Sequence, residues 1–107
     1  MASDPSDITV LVVDDEASNT ESLERIFTRE GMRAFTAVNG AKALEICRQH
    51  RVQVVLSDLM MPGMDGIELI RALRAIGADA EVVVMTAYGT VETAVQAMRE
   101  GAYDFVE

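Results

Sequence analysis

At 107 residues, half of them hydrophobic, the chain is sized for a single domain with a real core and has no length for a second. Its 18 acidic residues stand against 9 basic ones, a net charge of -9, which excludes a surface built by this segment for duplex nucleic acid or for an anionic membrane, since both need clustered Lys and Arg. No stretch approaches the roughly 18 apolar residues of a membrane-spanning helix, and the acidity reads either as a solubility device or as the mark of an electronegative cation site.

Residues 1–7 read as a short flexible lead-in, with neither the basic nor the apolar region of a signal peptide. Ile8 to Val13 is an apolar run broken only by Thr9, the pattern of a strand buried on both faces. A helix is predicted from Ser18 to Glu30, with Ser18 and Glu21 as a capping box, Leu23, Ile26 and Phe27 as its apolar stripe, and Gly31 as its stop. Arg33 to Ala37 is a shorter strand without a two-sided apolar run, and so an edge. Asn39 caps a second helix reaching about His50, with Leu44 and Cys47 inward. Cys47, the single cysteine, reads as core rather than reactive, and its solitude suits a reducing, cytoplasmic setting.

Val52 to Ser57 is a second buried strand, ending at Asp58 and followed by a loop holding Pro62 and Gly63. Asp65 caps a third helix with Ile67, Ile70 and Leu73 on one face. Glu81 to Met85 is a strand ending at Thr86. Thr90 caps a fourth helix with Val91, Ala94, Val95 and Met98 inward, Gly101 ends it, and Tyr103 to Val106 begins a last strand. Strands alternating with helices predict an α/β fold, a doubly wound parallel sheet of five strands covered on both faces. Right-handed crossovers prune the topologies without choosing the strand order.

In such a sheet the ligand site lies beyond the carboxyl ends of the strands. The first strand ends in Asp14, Asp15 and Glu16, the third in Asp58, the fourth in Thr86. Each alone would also suit a solvated turn or a helix cap, and Met60, Met61 and Met64 suit loop packing. Three buried strands ending in acid, acid and hydroxyl point further. If strands one and three are neighbours, their carboxylates share one pocket, which must raise some of their pKa values or take up a cation. An all-oxygen set with no His or Cys nearby favours a hard cation, Mg2+. Such a site suits phosphoryl transfer to a carboxylate, with Asp58 as the nucleophile that becomes an acyl phosphate.

Val12-Val13-Asp14-Asp15-Glu16, Ser57-Asp58-Leu59-Met60-Met61-Pro62-Gly63-Met64-Asp65-Gly66, Met85-Thr86-Ala87 and Gly101-Ala102-Tyr103-Asp104-Phe105-Val106 resemble, in order and spacing, the receiver domains of two-component response regulators. The resemblance implies strand order 2-1-3-4-5 and a domain over 8–107. It implies Asp58 as phosphoacceptor and Mg2+ held by Asp15, Asp58 and the Met60 carbonyl, with Asp14 acting through water. Thr86 resembles the switch hydroxyl, with the Ala87 amide beside it, and Phe105 the switch aromatic, while Tyr103 reads as packing. The implied donor is a histidine kinase, the implied role a self-phosphorylating switch rather than a turnover enzyme. The stretch from Thr86 to Val95 is similar to receivers of the nitrogen-regulation type, which implies an output domain such as an ATPase that activates transcription.

The family pattern also carries a Lys just past the last strand and a fifth helix. The chain stops at Glu107, which reads as truncation, with an uncovered apolar face prone to dimerisation or swapping. Two other classes stand beside the switch: a receiver-like interaction module that takes no phosphate, and an aspartyl-phosphate phosphatase, whose nucleophile would instead follow the first strand. Met60 offers no side chain to orient an attacking water, so slow loss of the phosphoryl group is expected.

Overall fold

The computed structural model describes residues 7–86 and 91–106. The elements alternate as expected: β1 (Thr9–Val13), α1 (Ala17–Arg29), β2 (Arg33–Ala37), α2 (Gly40–Gln49), β3 (Val54–Asp58), α3 (Gly66–Ala75), β4 (Glu81–Met85), α4 (Val91–Glu100) and β5 (Asp104–Val106). The five strands form one sheet in the order β2-β1-β3-β4-β5, and every pairing is parallel. The chain reverses its direction of winding after β2. Right-handed crossovers therefore put α1 on one face and α2, α3 and α4 on the other. The latter three pack against one another in sequence order.

Alternation along the strands divides the sheet between these faces. Leu11, Val13, Val55, Val82 and Val84 join Ile46, Ile67, Leu69, Ile70, Leu73 and Ala97 in the main core under α2 to α4. The opposite face is barer. Leu56, Val83 and Met85 are half-buried there, and Val106 and Ile26 are exposed, so the uncovered apolar face expected from the sequence is present among the described residues.

Several local expectations shift. α1 begins at Ala17, and its cap residue is Glu16 with no side-chain cap bond, so the Ser18–Glu21 capping box does not form. The reason is a local turn. The Asp14 carboxylate accepts the Glu16 amide and turns the chain into the helix one residue early, leaving Ser18 inside it. Asn39 does cap α2, accepting from the Lys42 amide, but the fully buried stripe of that helix is Ala43 and Ile46, with Leu44 and Cys47 half-buried beside it. β3 starts at Val54, and Val52 is buried outside the ladder. Asp65 and Glu68 form a complete capping box on α3.

The largest departure is α4. Val91, Val95 and Met98 are 81%, 42% and 47% exposed, and the buried residue is Ala97. α4 lies at the edge of its layer, packed on α3 and β5, so one small side chain makes the close contact while the apolar stripe faces solvent. Tyr103 is exposed as well, not packed. The Thr90 cap falls outside the described residues.

Candidate functional site

β1 and β3 are neighbours with Val13 opposite Ser57, so the residues that follow, Asp14 and Asp58, leave the sheet side by side. The Asp14 amide donates to the Ala37 carbonyl at 3.1 Å, which extends the ladder one residue and buries the Asp14 side chain to 5% exposure. Burial of an ionised carboxylate requires donors. Asp14 has two: the Glu16 amide on Oδ1 at 3.0 Å and the Asn19 side-chain amide on Oδ2 at 3.1 Å. Asp15 is exposed, and Asp58 is half-buried with its Oδ1 accepting from the Met60 amide at 3.1 Å.

Asp14, Asp15 and Asp58 offer carboxylate oxygens that all lie within 4.8 Å of one another. Desolvation, and then repulsion from Asp14, Asp15 and Glu16, pushes the Asp58 carboxyl above its ordinary range against the pull of the Met60 amide. A cation placed among them would relieve that repulsion. The donor set is all oxygen and the pocket is open to solvent, which fits a hard cation that keeps part of its water shell.

The loop after Asp58 is held tightly. The Leu59 amide donates to the Met85 carbonyl at 2.8 Å, and the Gly66 amide to the Leu59 carbonyl at 2.9 Å, so β4 and the start of α3 both grip the residue after Asp58. Gly66 permits this because a Cβ there would stand 2.9 Å from the Asp58 carbonyl oxygen. On the other side Thr86 follows β4, is buried to 6%, and donates its amide to the Val106 carbonyl at 3.0 Å. The carboxylates and Thr86 share one cleft of about 620 Å³ with Asn19 and Met60. The cleft runs on over Leu23, Met85 and Val106 on the α1 face.

The expected residues do not all meet. Asp14, Asp15, Asp58, Met60 and Thr86 line the cleft. Phe105 does not: it lies on the other face of β5, half-buried against the main core, and Val106 takes the cleft side. Ala87 lies outside the described residues. Sequence reasoning missed Asn19, because an amide in the first turn of a helix looks like any solvated polar residue until Asp14 is seen beside it. It also missed Ser57, fully buried, whose hydroxyl donates to the Asp58 carbonyl at 2.9 Å.

A family model, the response regulator receiver domain, matches residues 10–107. The chain belongs to this family. Receivers are the signalling domains of two-component systems, and this receiver has relatives among transcriptional activators of the nitrogen-regulation type. It is 41% identical over 97 residues to the regulatory protein AtoC of Escherichia coli (strain K12), spanning 91% of this chain and 21% of that protein. It is 38% identical over 93 residues to sporulation initiation phosphotransferase F of Bacillus subtilis (strain 168), spanning 87% of this chain and 75% of that protein. The receiver thus spans most of the phosphotransferase but only about a fifth of the transcriptional regulator.

Among solved structures, the beryllofluoride-activated NtrC4 receiver domain dimer superposes with a TM-score of 0.85 at 39% identity, over 92% of this chain and 82% of that one. Vibrio cholerae chemotaxis protein CheY4 superposes with a TM-score of 0.88 at 27% identity, over 92% and 83%. The strand order and the placement of the helices agree with this fold. No helix among the described residues is long and apolar enough to cross a membrane.

The raised Asp58 pKa makes a stability prediction. The folded receiver holds that proton to higher pH than the unfolded chain, so the ionised carboxylate opposes folding above the raised pKa and ceases to do so below about pH 4, the ordinary carboxylate value. Asp58→Asn should therefore melt higher than the parent at pH 7 without divalent metal, by an amount that solvent screening keeps small, and the gain should vanish as pH falls through that window. Thermal melts across pH check it, and a variant that melts lower at pH 7 would refute it.

Proposed function

We propose that this receiver accepts a phosphoryl group on Asp58 from the phosphohistidine of a histidine kinase and thereby switches an output domain. The observation that carries the reading is the convergence of Asp14, Asp15 and Asp58 within 4.8 Å, in one cleft with the buried Thr86. Mg2+ would be held by Asp15, Asp58 and the Met60 carbonyl, with Asp14 accepting from its water. Bound there, it screens the acceptor's charge from the incoming phosphate and offsets the charge on the transferring group.

An Asp58 carboxylate oxygen forms the new bond to phosphorus. The phosphorus–nitrogen bond to the donor imidazole breaks, its electron pair stays on that nitrogen, and a proton neutralises it. Met60 brings no group to orient a water for attack on the acyl phosphate, which makes its loss slow. The domain is thus a self-phosphorylating switch, not a turnover enzyme, and a kinase donor of this kind places it in the cytoplasm.

The Thr86 hydroxyl donates to a phosphoryl oxygen only in the active arrangement, so phosphorylation shifts the population towards it. Phe105, already at the margin of the core, turns into the space Thr86 leaves, and the surface of α4 and β5 changes shape. The exposed Val91, Val95 and Met98 lie on that surface, which suits contact with an output domain of the ATPase activator kind or with a second receiver. A homodimer would parallel the activated NtrC4 receiver.

Beryllofluoride with Mg2+, a phosphoryl mimic, tests the reading. The amide resonances of Asp58 and Thr86 should shift together and saturate, and chelation of the metal should reverse the shift. No change at either residue with millimolar Mg2+ would sink it.

A further inference from the structure

Asp14 is the most buried carboxylate of the cleft, yet it lies among the oxygens a cation would meet. Its orientation decides whether it ligates a metal directly or accepts from a metal-bound water. Both its oxygens already carry a donor, the Glu16 amide on Oδ1 and the Asn19 amide on Oδ2. The first is a backbone group of the turn into α1. The second is a side chain three residues past the helix cap, on the face of α1 that lines the cleft with Ser22 and Leu23.

A carboxylate bonded at one oxygen can still turn about its Cβ–Cγ bond. Bonded at both, it is fixed in plane, and each oxygen keeps one lone pair for a further donor. That arrangement suits an acceptor for coordinated water: Asp14 is 5% exposed, and its two donors already draw on the charge that direct ligation would use. A bond of this kind to an ionised group is among the stronger ones.

We infer that Asn19 is a positioning residue for the cation site: its amide fixes Asp14 as the acceptor of metal-bound water, leaving Asp15 and Asp58 to ligate. This rests on the reading of the acidic cleft as a Mg2+ site. The same bond would also join the end of β1 to α1 and serve the fold alone, so the test must separate the two.

Asn19→Leu removes the donor with little change of size, at an exposed position where the helix tolerates it. Loss of an outer-shell partner should weaken Mg2+ binding about tenfold by calorimetry. The metal-free melting temperature should fall only by the few degrees that one lost bond costs, and Asn19→Gln, which restores an amide on a longer stem, should recover most of the affinity. In the parent, the Asn19 side-chain amide resonances should move with the same Mg2+ midpoint as the Asp14 backbone amide.

Unchanged Mg2+ affinity in Asn19→Leu, against normal binding by the parent, overturns the role of Asn19 and leaves the cation site standing. A loss that Asn19→Gln shares in full, or that comes with loss of the cooperative metal-free melt, also overturns it, since either marks a bond that serves the fold. Absence of Mg2+ binding in the parent defeats the cation site and this inference together.

Discussion

Asp58→Asn should reduce acid-labile phosphorylation by a small phosphodonor to background, with the fold intact. Asp14 cannot substitute, because it is buried and both its oxygens are engaged. Asp15 is exposed, away from the grip that the Leu59 and Gly66 amides exert on the acceptor loop. In Asp58, Oδ1 accepts from Met60, and among the described residues no donor is recorded on Oδ2, which leaves that oxygen for attack on phosphorus. The Asn side chain keeps the shape and removes the charge that opposes folding, so loss of labelling cannot be ascribed to unfolding. Labelling by mass spectrometry before and after mild acid, beside a thermal melt, checks both halves. Stoichiometric labelling of the variant would place the acceptor elsewhere.

Gly66→Ala should destabilise the receiver by about 1–3 kcal/mol, the usual cost of forcing an extra methyl into a packed site. It should also weaken Mg2+ binding. The added Cβ would stand 2.9 Å from the Asp58 carbonyl oxygen and 3.0 Å from the Leu59 Cα. Both neighbours are backbone, so no rotamer change relieves the contact. The start of α3 or the end of β3 must move, and β3 carries Asp58.

Gly77→Ala is the control. A Cβ there meets nothing within 4 Å, but φ is +75°, so the cost is conformational, about 1–2 kcal/mol, and lies far from the acids. Chemical denaturation with Mg2+ titration should show both losses in Gly66→Ala and only the first in Gly77→Ala. Equal Mg2+ affinity in all three proteins would show that Gly66 does not position the acceptor.

The elements were legible because their signals are local. Apolar runs such as Val10 to Val13 suit a strand covered on both faces and nothing exposed. Asn39 and Asp65 cap α2 and α3 as their side-chain chemistry dictates. The same local logic misplaced the start of α1, where Asp14, just past β1, accepts the Glu16 amide and takes the turn before Ser18 can. It failed again at Val91, Val95 and Met98. Periodicity reveals a stripe without revealing whether a layer exists to cover it.

The acids and the hydroxyl could be singled out from the chain, since polar groups that end buried strands of a parallel sheet share one edge. Side-chain chemistry and spacing along the chain carried the α/β alternation, the residues at the strand ends and the family resemblance, which implied the strand order. The folded chain was needed to show that the Asp14, Asp15 and Asp58 carboxylates come within 4.8 Å of one another, that Phe105 stays outside the cleft and that Asn19 holds Asp14. Such partnerships form between separate elements of the chain. They are settled by which faces can be buried together, a condition no single segment contains.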